Sequence, residues 1–112
     1  MNLIKITLNK GQELMNTLEQ ELKKRNIISG AIVSIVGAVD SCRISNMPKN
    51  DALKDILTDY KEPMELSGTG EIKEGKPHIH STLSREDDSA IHGHLHSANI
   101  KNWYVSIYII PN

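Results

Sequence analysis

Helical spacing of apolar residues is confined to one stretch of this 112-residue chain, and this limits the folds open to it. Between residues 12 and 25, Met15, Leu18 and Leu22 recur every three or four positions, as in an amphipathic helix that lies against a core. Elsewhere the apolar residues form short runs, many of them alternating, that are separated by turn residues, a pattern typical of strands. The sequence therefore predicts an α+β fold: a largely antiparallel, strongly curved sheet of six or seven strands, curled into a partial barrel, with one main helix.

Two of the segments outside this helix are unusual. Residues 28–39 are apolar at nearly every position, which predicts a central strand covered on both faces. Residues 51–59 are interpreted as a short helix or an excursion from the sheet. The predicted strands are residues 3–8, 28–39, 40–45, 64–72, 78–83, 90–96 and 103–110.

Composition excludes several classes of protein. With 38% hydrophobic residues and no phenylalanine, residues 1–112 can form a single domain with a small core, of a kind that oligomerisation often completes. Thirteen basic against fourteen acidic residues leave no basic excess for nucleic acid. No apolar run approaches the roughly 20 residues of a membrane helix, so we expect no membrane partner and a cytoplasmic location. A lone cysteine, Cys42, in a strand-like run indicates a packed thiol in a reducing compartment.

All five histidines lie between residues 78 and 96, at His78, His80, His92, His94 and His96. Alternate residues of a strand point the same way, and the polar residues 84–89 predict a hairpin that lays the two histidine segments side by side. Cross-strand partners about 5 Å apart suit a tetrahedral metal ion, and three protein ligands would leave a fourth position open. Surface histidines that bind no metal are the alternative. Because a tetrahedral site holds at most four ligands, the five histidines cannot all bind one ion.

Four segments together resemble the PPC domain family, a family conserved in plants and prokaryotes. Their order and spacing match the family over nearly the whole chain. The segments are Gly30-Ala31-Ile32-Val33-Ser34-Ile35-Val36-Gly37-Ala38-Val39, Glu65-Leu66-Ser67-Gly68-Thr69-Gly70, Gly75-Lys76-Pro77-His78-Ile79-His80 and Gly93-His94-Leu95.

The resemblance implies an α+β fold, a homotrimer with sites near subunit boundaries, and a metal, zinc above all, held by His78, His80 and His94. The family's shared glutamate matches Glu65, which the resemblance would place near the metal as a general base or an orienting group. The fold is also similar to that of zinc-dependent acetolactate decarboxylase. His92 stands where the family has glycine and His96 is an additional imidazole, so both remain alternative ligands.

Three functions follow from these patterns. The first is a trimeric zinc-binding protein with an open coordination position, whose unknown substrate would be a small molecule at the metal; whether it is an enzyme stays open. The second is a DNA-binding or regulatory module, a role attached to the family by name. The chain has no AT-hook, the DNA-binding element of the plant members, and its net charge is −1. The third is a structural or small-ligand-binding trimer without catalysis.

Overall fold

The computed structural model describes residues 2–112 as one helix and eight strands. The helix follows the first strand, and the other seven strands succeed one another without a further helix in the described residues. The elements are β1 (Ile4–Leu8), α1 (Leu14–Lys24), β2 (Ser29–Val39), β3 (Ser41–Asn46), β4 (Ile56–Tyr60), β5 (Met64–Lys73), β6 (Lys76–Ser84), β7 (Ala90–Asn99) and β8 (Val105–Pro111).

All eight strands belong to one sheet in the order β1-β8-β2-β5-β6-β7-β3-β4, and every neighbouring pair is antiparallel. The predicted α+β class, with an antiparallel sheet and one main helix, is therefore confirmed. The sheet has two different edge strands, β1 and β4, so it stays open and does not close into a barrel.

The eighth strand, β4, is the one that sequence patterning missed. The proposed helix at residues 51–59 is wrong, because Ile56–Tyr60 pairs with β3 along the edge of the sheet. As an edge strand β4 buries neither face well, so its sequence lacks a clear alternation. A bidentate ion pair links β4 to β3: the Arg43 guanidinium donates two hydrogen bonds to the Asp59 carboxylate, at 2.7 and 3.0 Å.

The predicted helix is confirmed as α1. Glu13 caps its first turn, because the carboxylate accepts hydrogen bonds from the backbone N–H groups of Met15 and Asn16. The same carboxylate accepts a bond from the Ala98 N–H and so fastens the helix to β7. Leu14, Leu18 and Leu22 are fully buried against one face of the sheet. Within residues 2–112, no helix is long and apolar enough to cross a bilayer.

The two faces of the sheet differ sharply, and this difference positions the histidines. Ile79, Leu83 and Leu95 are fully buried on the face that α1 covers. Their alternate neighbours in β6 and β7, including every histidine, therefore point to the opposite, open face.

In the single chain, one face of β2 is covered and the other is open. The prediction that both faces are covered is therefore wrong for the single chain. A bulge after Ile32 lets both Ile32 and Ile35 reach the core. On the open face Val33 and Val36 remain 42% and 55% exposed. These apolar side chains led to the prediction of burial, but no element among the described residues covers them.

Candidate metal centre

Two successive hairpins place the histidines by fixing the register of three strands. The β5–β6 hairpin turns on two residues, Glu74 and Gly75, whose φ angles of 53° and 76° match the type I′ turn that suits paired antiparallel strands. The turn sets His78 opposite Glu71 and His80 opposite Thr69. The tight register leaves no ambiguity about which residues face each other.

The second hairpin brings in the histidines of β7. Ser84 pairs with Ala90, and the five-residue loop between them is closed by a hydrogen bond from the Arg85 N–H to the Ser89 carbonyl, at 2.8 Å. This register sets His80 directly opposite His94. The hairpin predicted over residues 84–89 is thus confirmed, and with it the coincidence of the two histidine faces.

The imidazoles of His78, His80 and His94 form the one group of three metal-ligating side chains found within residues 2–112. Each offers a nitrogen, and these nitrogens all lie within 4.8 Å of one another. The ring centroids are 5.0 Å apart for His78 and His80, 4.8 Å for His78 and His94, and 6.0 Å for His80 and His94. The family resemblance implies the same three residues as metal ligands.

This geometry is close to what a zinc ion requires. Tetrahedral zinc with nitrogen ligands at about 2.0–2.1 Å needs those nitrogens about 3.4 Å apart. His78 and His80 are exposed and His94 is half-buried, so modest side-chain rotations can close the difference. The donor set also fits, because neutral imidazoles are common zinc ligands and three of them leave a fourth position free.

His92 and His96 stand at either side of this group and have partners of their own. Nδ1 of His92 lies 2.7 Å from the Thr82 hydroxyl, and its ring centroid is 6.4 Å from that of His80. Nε2 of His96 lies 2.8 Å from the hydroxyl of the buried Ser45. Both rings are therefore anchored by neighbouring hydroxyl groups and lie outside the group of three.

The electrostatic environment favours the neutral imidazole that a metal needs. Partial burial lowers the pKa of His94, and the neighbouring imidazoles of His96, His78 and His80 lower it further. The lowered pKa favours the neutral form of His94, which is the form that binds a metal.

Glu71 is the residue at this site that the sequence analysis missed. Its carboxylate lies 3.7 Å from Nδ1 of His78, its cross-strand partner, and 3.2 Å from the Lys73 ammonium. Lys73 above all, and then His78, hold the pKa of Glu71 below its usual value, so the group is ionised. The signal that could have found it is the two-residue turn, because Glu74-Gly75 fixes Glu71 opposite His78.

Glu65, the residue singled out through the family resemblance, lies elsewhere in the same chain. It pairs with Ser84, whereas His80 pairs with Thr69, four residues farther along β5. At about 3.3 Å per residue this separates Glu65 from His80 by about 13 Å along the strand. It borders instead a depression of about 620 Å³ together with Arg85 and Trp103.

Two shallow depressions flank the histidines on the open face. One, of about 240 Å³, lies over Thr69, Gly70 and Glu71 beside His78 and His80. The other, of about 340 Å³, lies beside His80, His92 and His94 and is bordered by the segment that precedes β4, including Met47 and Asp55. A small molecule bound over the three imidazoles could therefore extend to either side.

A depression of about 780 Å³ lies away from the histidines. Its one charged pair, Arg43 and Asp59, is already mutually satisfied. Its cysteine, Cys42, is buried, and burial first, then the carboxylates of Asp59 and Glu62, raise the pKa of the thiol to about 11. The predicted packed thiol is confirmed.

Comparison with known proteins relates this fold and site to a family. No curated protein matches the chain. Among solved structures, a metal-containing protein from Archaeoglobus fulgidus is 27% identical, with a TM-score of 0.80 over 99% of this chain and 79% of that one. A protein from Bacteroides thetaiotaomicron, named only as a candidate DNA-binding protein, is 26% identical, with a TM-score of 0.84 over 98% of this chain and 78% of that one.

A plant- and prokaryote-conserved (PPC) protein from Pyrococcus horikoshii has the same fold. It has 20% identity and a TM-score of 0.84 over 100% of this chain and 80% of that one. The family itself matches residues 1–111, which is nearly the whole sequence. The chain therefore belongs to the Plants and Prokaryotes Conserved (PCC) domain family.

Proposed function

We propose that the protein binds one zinc ion per chain through His78, His80 and His94 and keeps a fourth coordination position open for a small molecule. One observation carries the proposal: three imidazole nitrogens lie within 4.8 Å of one another on the open face of the sheet. The similar protein from Archaeoglobus fulgidus, which is named as metal-containing, supports it.

The chain's own residues would hold the ion and leave it accessible. A zinc ion bound there would supply Lewis-acid chemistry or a water molecule of lowered pKa. His92 and His96 stay outside the ligand set in this proposal, because the hydroxyl groups of Thr82 and Ser45 already engage them. Whether a reaction takes place depends on the molecule that binds the open position.

Elemental analysis of protein purified without chelators tests the proposal. We expect about one equivalent of zinc per chain, because a preformed set of three imidazoles binds the ion strongly at neutral pH. Less than about a tenth of an equivalent, even after incubation with zinc and removal of the excess, would contradict it.

We further propose that the protein assembles as a homotrimer through the open face of the sheet. Val33 and Val36 are 42% and 55% exposed on this face, which also carries the histidines. Exposed apolar groups on an otherwise polar sheet favour association with a second copy. Light scattering should give three times the 12.5 kDa chain mass.

A matched pair of variants tests this surface. Val36→Asp should lower the mass toward one chain, because it places a charge in the proposed interface. Leu53→Asp adds the same charge at a site that is 96% exposed in the loop before β4 and should leave the mass unchanged. A wild-type mass of one chain, or a Val36→Asp protein that stays trimeric, would overturn the interface.

A role for Glu65 at the metal requires the trimer, because about 13 Å of strand separates it from His80 of its own chain. We propose that Glu65 of one subunit acts on a neighbouring site as a general base or an orienting group. Glu65→Ala should then weaken zinc binding in the trimer and have no effect in the dissociated Val36→Asp background. An equal effect in both would remove the role.

Two alternatives remain distinct from this proposal. In a trimer whose metal only stabilises the fold, removing zinc lowers the melting temperature but abolishes no ligand binding. DNA binding is favoured by the name of the similar Bacteroides thetaiotaomicron protein. It would require clustered cations, and the chain has a net charge of −1. The absence of a mobility shift on duplex DNA at about 50 mM salt would exclude this second alternative.

A further inference from the structure

In the part of the chain that the structure describes, one of the three histidines has a carboxylate within 4.0 Å of a ring nitrogen. Among the described residues, Glu71 is the acidic group that comes within 4.0 Å of a ring nitrogen in the group, at 3.7 Å from Nδ1 of His78. The two-residue turn between β5 and β6 places Glu71 directly opposite His78 in the ladder, so the two side chains start from neighbouring positions. Histidines that bind metals usually donate their second ring N–H to such a group.

We propose that Glu71 is a positioning residue of the metal centre: it accepts a hydrogen bond from Nδ1–H of His78 and thereby presents Nε2 to the metal. This inference rests on the proposed zinc site and adds a function for a residue outside the ligand set.

The exposure of the two side chains allows this hydrogen bond to form. At 3.7 Å the pair is about 1 Å too long for a hydrogen bond, which forms near 2.8 Å when the acceptor is charged. Both side chains are nearly half exposed, at 46% and 47%, so they have room to approach.

Two further contacts lie next to the pair of Glu71 and His78. The Lys73 ammonium lies 3.2 Å from Oε1 of Glu71, the same oxygen that faces Nδ1 of His78. Gly70 packs so closely on the His78 carbonyl that a β-carbon there would overlap it, which keeps the two strands in tight contact at this point. The close contact of the strands fixes the backbone positions from which the two side chains extend.

We assign Glu71 an orienting role and not a role as a ligand, because its oxygens are not part of the group of atoms that lie within 4.8 Å of one another. The contrast with the two outer histidines is also informative. Thr82 and Ser45 hold His92 and His96 through neutral hydroxyl groups, whereas a candidate ligand, His78, has the charged acceptor. A charged acceptor makes the imidazole a better electron donor to a metal.

The first test uses metal-free protein, so that it does not depend on zinc. Long-range ¹H–¹⁵N spectra at about pH 8, where imidazoles are neutral, report which ring nitrogen of His78 carries the proton. We expect Nδ1–H in the wild type, a shift toward Nε2–H in Glu71→Ala, and an intermediate state in Glu71→Gln, which keeps an acceptor oxygen. Glu19→Ala removes the same charge on the exposed side of α1 and should change nothing.

The second test measures metal binding by the same variants. Competition with a chelator should show zinc affinity about 10- to 100-fold lower in Glu71→Ala, partial rescue in Glu71→Gln and wild-type affinity in Glu19→Ala. With cobalt in place of zinc, the absorption bands should keep their pattern in Glu71→Ala, because no ligand is lost. Should Glu71→Ala fail to fold, the Glu71→Gln protein decides both tests.

The outcomes separate this inference from the zinc proposal. A wild type that binds no zinc refutes the zinc site, while the proton position on His78 still shows whether Glu71 orients the ring. Unchanged His78 spectra in Glu71→Ala, or unchanged zinc affinity, refute the positioning role. A cobalt spectrum that changes coordination in Glu71→Ala refutes it too, since Glu71 would then be a ligand.

Discussion

Replacing His80 by alanine tests the proposed metal centre most directly, because His80 is a neighbour of both other histidines in the group of three. It faces His94 across the β6–β7 ladder and follows His78 by two residues in β6. The group of three cannot form without it. We expect His80→Ala to lose zinc binding while the fold stays intact, because the His80 side chain is exposed and contributes nothing to the core.

The size of the effect follows from linkage between binding and folding. Zinc at 100 times its dissociation constant stabilises the native state by about 2.7 kcal/mol. For a chain of 112 residues the entropy of unfolding is about 0.24 kcal/mol/K, so this stabilisation raises the melting temperature by about 11 °C. The His80→Ala protein should show none of this increase. Its metal-free melting temperature should stay within about 2 °C of the wild type, as for most exposed substitutions.

His92→Ala is the matched control for this experiment. It removes an exposed imidazole from the neighbouring strand, at a ring distance of 6.4 Å from His80, and one that Thr82 already engages. Differential scanning calorimetry with and without zinc should give the full increase for His92→Ala and none for His80→Ala. A full increase in His80→Ala, or its loss in His92→Ala, would show that the wrong histidines were chosen.

Three further predictions concern groups around the site and the fold. Burial raises the pKa of Asp40, but hydrogen bonds from the Lys101 N–H and from the Asn102 side chain and N–H outweigh this and lower it below 3.8. Its contribution to stability should therefore be present above about pH 4 and be lost as pH falls through the lower, folded-state pKa, so that urea unfolding of the wild type and of Asp40→Asn converges in acid. The Cys42 thiol, with its pKa raised to about 11, should react with a thiol reagent at pH 8 only after unfolding; fast labelling of the folded protein would contradict its burial. Gly70→Ala should cost about 1–3 kcal/mol in urea unfolding and weaken zinc binding, because the added methyl group overlaps the His78 carbonyl; a stable variant with normal affinity would show that the strands can separate there without harm.

Periodicity in the sequence predicted most of the elements, because each of them buries one face. The strands β5 to β8 and the helix were all located to within a few residues, since their buried positions recur at the spacing of the element. The edge strand β4 was missed because it buries almost none of its residues, so its sequence lacks the spacing that reveals the other elements. The open face of β2 was misjudged, because an apolar sequence shows that burial is favourable without showing what provides it.

The sequence alone determined that the histidines form two sets, each on one face of a strand, and that the two sets lie close together. Alternation in a strand puts His78 with His80 and His92 with His94 and His96, and a short polar loop brings the two sets together, whatever the rest of the chain does. Tertiary structure then decided which of them meet. Register places His94 opposite His80, leaves His92 and His96 with hydroxyl partners, brings Glu71 beside His78 and takes Glu65 about 13 Å away. The physical reason is that side-chain direction is a local property of a strand, whereas cross-strand neighbours depend on the turns and hydrogen bonds that set the register of the whole sheet.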